Sequence, residues 1–148
     1  MAARYSVVGP SASGTTQTVL GVNGGTTVRA NIYEVLVGSS TTPADQTFQL
    51  VLGRITAFGT STAYTPLPLD PNDVAAIATA GITHSAEPTY TAGGSILDFS
   101  VNQRATFRWV ASPGGEAMSA ASANNGMGLK NALSSAALVL RATVHWFE

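Results

Sequence analysis

From Leu138 to Phe147 the sequence keeps a strict two-residue period: Leu138, Leu140, Ala142, Val144 and Trp146 fall on one side, and Val139, Arg141, Thr143, His145 and Phe147 on the other. Successive side chains of a β-strand point to opposite faces, so this spacing predicts a strand with one face in a core. It is the most strand-like segment of the sequence, and it lies at the very end, where chains ordinarily fray. A terminal segment this apolar is expected inside a sheet, paired on both edges, so that the end of the chain is pinned.

The same period governs most of the remainder. "TTQTVLGVNGGTTVRANIYEVLVG" reads as two strands joined in a hairpin at Asn23-Gly24-Gly25, a strong short-range turn signal. In "TFQLVLGRITAF" the apolar phase of Phe48, Leu50 and Leu52 shifts to Ile55 and Ala57 after Gly53, which predicts a β-bulge there. "TAYTPLPLDP" is extended and proline-spaced, suited to an edge strand or a crossover. "DPNDVAAIATAG" carries helix punctuation, with Asp70 as N-cap, Pro71 at the first position, Asp73 in the first turn and Gly81 past the end, and predicts one short helix. In "SILDFSVNQRATFRWVA", Leu97, Phe99, Val101, Ala105, Phe107 and Trp109 share a parity and would line one face if the segment ran straight. "AMSAASANNGMGLKNALSS" has weak strand signal and reads as a long loop holding a short strand.

Seven or eight strands, one short helix and no βαβ rhythm predict an all-β fold: an antiparallel β-sandwich of jelly-roll or Greek-key type. The expected organisation is one domain over residues 1–148. Residues 1–14, "MAARYSVVGPSASG", form either an N-terminal arm hinged at Pro10 and the Ser/Gly run or the first strand.

Charge narrows the function. Only 10% of residues are Asp, Glu, Lys or Arg, and Lys130 is the single lysine, against about 25% charged residues in an average soluble domain. Small uncharged polar groups cost less to desolvate than charges do, so such a surface suits assembly contacts. A net charge of −1 with scattered arginines argues against nucleic acid, which needs clustered cations. The N-terminal "MAARYSVVG" has no secretory pattern, and no apolar run approaches the roughly 18 residues a membrane helix needs. The expectation is a soluble protein that stays in the compartment that makes it, with no membrane partner. Cysteine is absent, so disulfides and thiolate chemistry do not arise.

Candidates for chemistry are few. His84 and His145 lack the spacing of a metal motif, and each reads as a structural or exposed histidine. Of the eight carboxylates, Asp45, Asp70 and Asp73 have turn and cap roles, and Glu34, Asp98 and Glu116 are the ones to weigh; a glycosidase would need two of them to converge. No nucleophile elbow or phosphate loop occurs. No catalytic, cofactor or metal site is expected, and no small-molecule substrate. Trp109 and Trp146 fall on apolar strand faces and read as core residues rather than a sugar-stacking platform.

The segments "RYSVVGPSASGTTQTVLGV", "TPLPLDPNDVAAIATAG", "EPTYTAGGSILDFSVNQRATFRWVASPGGE" and "ANNGMGL", with the closing "ATVHWFE", resemble small virion proteins of tailed bacteriophages. More narrowly, the chain is similar to jelly-roll cement (decoration) proteins of the kind found on short-tailed cyanophage heads. The resemblance covers nearly the whole chain, and its motifs are structural. It implies a non-enzymatic protein, made in the host cytoplasm, that binds the major capsid protein on the outside of an expanded head. It further implies a homotrimer that clamps neighbouring capsomers. Arg4 and Tyr5 in the arm, and Asn124, Asn125 and Met127 in a loop, are the candidate interface residues. A tail or head-completion protein and a jelly-roll carbohydrate-binding module are the alternatives.

Overall fold

A computed structural model describes residues 2–10, 17–40, 42–134 and 139–148. Along the chain these form β1 (Arg4–Pro10), β2 (Thr18–Asn23), β3 (Asn31–Ser39), β4 (Thr47–Ala57), β5 (Thr60–Tyr64), β6 (Leu67–Pro68), β7 (Thr79–Ala86), β8 (Thr89–Asn102), β9 (Phe107–Val110), β10 (Ala117–Met118), β11 (Gly126–Ser134) and β12 (Leu140–Phe147). Two antiparallel sheets stack as a sandwich. Sheet I runs β10-β3-β12-β1-β6, with β9 beside β3 on the same edge as β10, and sheet II runs β5-β7-β2-β11-β4-β8.

Among the described residues no two consecutive strands pair. Every ladder therefore joins segments distant in sequence, and its loop-closure entropy must be met before its contacts form. The hydrophobic core closes this arrangement. Tyr5, Val7, Val35, Val37, Leu140, Val144 and Trp146 of sheet I are buried in one cluster with Leu20, Val22, Phe48, Leu50, Leu52 and Leu129 of sheet II. Burying each large apolar side chain is worth about 1.5–3 kcal/mol.

The terminal strand behaves as its period predicts. β12 lies between β1 and β3, and its inward side chains from Leu140 to Trp146 are buried, with Trp146 wholly inaccessible. The end is pinned further because the Glu148 carboxylate accepts from the Ile77 and Ala78 backbone N–H groups at 2.5 and 2.9 Å. Leu138 lies outside the described residues. The bulge at Gly53 is present, where the β4–β8 register shifts on both sides of that residue. The proline-spaced stretch supplies two edge strands, β5 on sheet II and β6 on sheet I.

Three expectations are corrected, those of the hairpin, the helix and the long loop, and the condition set for the Leu97–Trp109 face is not met. The Asn23-Gly24-Gly25 turn does not close a hairpin, since β2 and β3 lie in different sheets. β2 is buried on both faces from Thr18 to Val22 and takes β7 and β11 as neighbours, while the Gly24 N–H donates to the Asn125 carbonyl at 3.0 Å across the arch.

The predicted helix after Asp70 is absent. Asp70 does cap a turn, accepting from the Asn72 N–H on its side chain at 2.9 Å and from the Asp73 N–H on its carbonyl at 3.0 Å. A helix of this length is marginal without tertiary support, and here tertiary partners claim the backbone instead. The Tyr5 hydroxyl donates to the Val74 carbonyl at 3.0 Å, and Glu148 holds the N–H groups of Ile77 and Ala78.

The stretch from Leu97 to Trp109 does not run straight. A turn closed by the Ala105 N–H on the Asn102 carbonyl at 2.9 Å carries the chain from β8 in sheet II to β9 in sheet I, and Phe99 and Phe107 stack across it with centroids 3.8 Å apart. The supposed long loop contains β11, a nine-residue strand at the centre of sheet II. Its glycines depress the strand signal, yet Met127 and Leu129 are fully buried.

Of the two readings of residues 1–14, residues 4–10 take that of the first strand: they form β1, paired with β12 and β6. Residues 11–14 lie outside the described part of the chain.

Candidate functional site

The outer faces of the two sheets differ in what covers them. On sheet II, Gly81, Gly21, Gly128 and Gly53 occupy one register row across β7, β2, β11 and β4. The row is a furrow, and aromatic rings lie in it. A Cβ on Gly21 would stand 2.9 Å from Phe58 and 3.6 Å from His84, and one on Gly53 would stand 3.1 Å from Tyr90.

Hydrogen bonds fix this cover. Glu87 accepts from the Thr18 backbone N–H at 3.0 Å and from its hydroxyl at 2.6 Å, which leaves the Tyr90 hydroxyl to donate to Thr18 Oγ1 at 2.8 Å. Burial pushes the Tyr90 phenol well above its ordinary value. Lys130 places its Nζ 5.4 Å from the Tyr90 ring centroid, so that cation serves its own sheet. His84 is 2% exposed, packs against Phe58 at 5.5 Å and has, among the described residues, no hydrogen-bond partner on either ring nitrogen. Burial lowers its pKa, against a raising effect of Glu87.

Sheet I presents charge instead. A bulge between β3 and β12 pairs His145 with Glu34 and Trp146 with Ile32, leaving Tyr33 as the extra residue. Glu34 and His145 therefore meet on the outer face, where the His145 Nδ1–H donates to Glu34 Oε2 at 2.7 Å and Arg108 Nε donates to Oε1 at 2.5 Å. The hydrogen bond from His145, followed by that from Arg108, holds the Glu34 carboxyl below its ordinary value although burial opposes this. Tyr33 stacks on Phe147 with centroids 6.4 Å apart, and the Arg4 guanidinium lies 5.9 Å from the Tyr33 centroid.

Two depressions flank the Glu34 pair. One of about 440 Å³ lies between Arg108 and Arg141 over Leu36, Gly38, Phe107 and Thr143. The other, about 290 Å³, is lined by Arg4, Tyr33, Glu116 and Phe147.

Of the residues singled out in the sequence, Arg4 is exposed on this face, whereas Tyr5 and Met127 are each 1% exposed. Tyr5 points inward from β1 and packs on Trp146 at 5.9 Å. Met127 faces the core from β11. Neither side chain is accessible for an interface, because strand alternation turns them inward. Asn124 is exposed in the left-handed region at φ 68°, and Asn125 is half-buried with its amide donating to Ser122 Oγ at 3.0 Å. Both are turn residues by geometry.

Trp146 is a core residue, and Trp109 is partly buried against the core. Glu34 and Asp98 lie in different sheets. Asp98 accepts from Gln49 at 2.6 Å, and Glu116 accepts from the Gly114 N–H at 3.3 Å. Among the described residues no three His, Asp or Glu side chains gather as metal ligands.

Sequence reasoning missed Arg108, Arg141, Tyr33 and Phe147 as neighbours on one face. The signal available for Arg108, Arg141 and Phe147 was their place on the polar side of β9 and β12, whereas Tyr33 has the parity of buried Val35 and Val37 and reaches this face only through the bulge. The register that sets them side by side is tertiary. Comparison with protein-family models, curated proteins and solved structures returns no match to this chain.

Proposed function

We propose that this chain is a structural virion protein that binds the outer surface of an expanded tailed-phage head and stabilises it, acting as a trimeric cement protein on the major capsid protein. One observation carries the reading. Leu67, Leu69, Val74 and Ile77 are 59%, 48%, 75% and 53% exposed; Leu67 lies in β6, the two-residue edge strand of sheet I, and the other three in the segment that follows it. Clustered exposed apolar side chains beside a short sheet edge favour protein contact, and a chain with 10% charged residues has little to oppose it. Weak contacts repeated over a symmetric lattice gain avidity.

The test is co-sedimentation of the purified protein with emptied, expanded phage heads, beside its native mass by light scattering. Wild type is expected to sediment with heads and to elute as a trimer. A Leu69→Asp/Val74→Asp variant is expected to lose both properties while keeping its melting temperature, since both side chains are exposed. A wild-type protein that leaves the heads untouched overturns the reading.

A second reading, carbohydrate binding, is favoured by one feature: the Tyr33–Phe147 pair beside Arg4 and Glu116 in the smaller depression. It predicts glycan-array binding that Tyr33→Ala abolishes. A blank array removes it.

A further inference from the structure

We infer that the outer face of sheet I is a docking site for an acidic, extended segment of a protein partner, whose carboxylates are held by Arg141 and Arg108 and whose apolar side chains lie on Leu36. The inference rests on the structural role proposed above for the identity of the partner, and on the geometry alone for the site.

Charge carries the argument. The strands β1, β3, β9 and β12 contain three arginines, Arg4, Arg108 and Arg141, and one carboxylate, Glu34. All three arginines are exposed, and Arg4, Arg108 and Arg141 share the outward parity opposite buried Tyr5, half-buried Phe107 and buried Leu140. The single carboxylate is taken: its side chain is 12% exposed, against 65% for Arg108, and it accepts from both His145 and Arg108. Arg108 uses only its Nε there, so among the described residues its two terminal amino groups remain for a further carboxylate. The Arg141 guanidinium, on a backbone paired in the β12 ladders, has no hydrogen bond or ion pair among the described residues. The other carboxylate at this face, Glu116, lies beside Arg4 in the smaller depression, and no carboxylate lines the depression at Arg108 and Arg141, so that end of the face complements an acidic surface.

Shape and spacing narrow the ligand. Arg141 stands opposite Gly38, and Arg108 opposite Leu36. Gly38, with the Thr106 methyl 3.2 Å from where its Cβ would stand, lines the depression of about 440 Å³ between the two arginines. From Arg141 to Phe147, whose partner in β1 is Arg4, six residues of strand span about 20 Å. Cations therefore punctuate a face that also exposes Val8 and Val110, at 40% and 51%.

Carboxylates separated by apolar side chains match this alternation, and the planar guanidinium binds a carboxylate in two-point fashion. A nucleic acid presents an unbroken run of phosphates, which calls for a denser cation stripe and no apolar floor.

The probe is a pair of peptides, acetyl-ELELE-amide and its neutral counterpart acetyl-QLQLQ-amide, titrated into the ¹⁵N-labelled full-length protein. The acidic peptide is expected to shift the amide resonances of Leu36, Gly38, Arg141 and Thr143, and the neutral one to leave them in place. Arg141→Gln should weaken the acidic peptide about tenfold, the loss of one charge-assisted contact, with an unchanged melting temperature.

Equal shifts from both peptides, no shifts at millimolar concentration, or unchanged binding by Arg141→Gln would each overturn the inference. A changed native mass in Arg141→Gln would also overturn it, by assigning the face to a second copy of this chain. Wild type that binds heads but not the acidic peptide defeats this inference alone. Wild type that binds the peptide but not heads defeats the proposed role and leaves the site standing.

Discussion

The two outer faces of this sandwich solve the same problem in opposite ways. Each sheet has one side in the core and one side outward. On sheet II the outward row across four strands is glycine at positions 81, 21, 128 and 53, and the space is filled by Phe58, His84 and Tyr90 of the same chain. On sheet I the corresponding rows carry side chains, including Arg108, Leu36 and Thr143, in register. Mid-strand glycine is ordinarily a weakness, because it loses more backbone entropy and packs nothing. Here the missing Cβ atoms make room for rings, which recover burial on the outside of the sheet. Lys130, the one lysine, is drawn into that cover, whereas the arginines of sheet I keep their exposure. A face that covers itself is spent, and a face that does not is free to meet something else.

Removing the cover should have the largest effect. Phe58→Ala takes away the ring over Gly21 and Gly81 and is expected to cost about 2–3 kcal/mol, less than a wholly buried ring because Phe58 is half-buried. Leu36→Ala on sheet I, half-buried against open solvent, is expected to cost about 1 kcal/mol or less. Urea unfolding of both variants decides this, and equal losses would erase the difference between the faces.

The smaller effects are pH-dependent and separate the faces by window. His84, on the self-covered side, has its folded pKa below the ordinary 6.5, so the unfolded chain takes up the proton first. Its stability is complete above about pH 6.5 and is lost as pH falls toward the folded-state value. Glu34, on the open side, has its folded pKa below the ordinary 4.5. Its contribution is present above about pH 4.5 and is lost as pH falls through the lower folded value.

His84→Leu should therefore flatten the stability profile between pH 7 and the onset of the Glu34 window, and Glu34→Gln should flatten it only below about pH 4.5. At pH 7 Glu34→Gln is expected to cost about 1 kcal/mol, because Arg108 is well exposed and screened. Profiles measured by chemical denaturation that change in the wrong window would show that these groups do not control the two faces.

Much of this molecule could be read one strand at a time. The alternation of Leu140, Ala142, Val144 and Trp146 marked an inward face and the inside position of β12. The phase slip at Gly53 marked the bulge, and the proline spacing of residues 62–71 marked sheet edges. These follow from a two-residue period and from side-chain chemistry, which act within a few residues. The antiparallel sandwich is their consequence.

What lay beyond reach was every feature that depends on which strand stands beside which. Asn23-Gly24-Gly25 has the chemistry of a tight hairpin, but β2 took β7 and β11 as its neighbours and β3 took β12 and β9, in different sheets. Asp70 announced a helix and capped a turn, because Glu148 and Tyr5, each about seventy residues away, claimed the backbone that would have continued it.

The candidate site has the same origin. Its arginines lie in β1, β9 and β12, strands far apart in the chain, and only the ladders through β3 and β12 set them on one surface. Tyr5 and Met127 were good candidates by residue type and are core residues by position. Local sequence fixes the direction in which a side chain points along its own strand; burial and pairing, summed over the whole chain, fix what it points at.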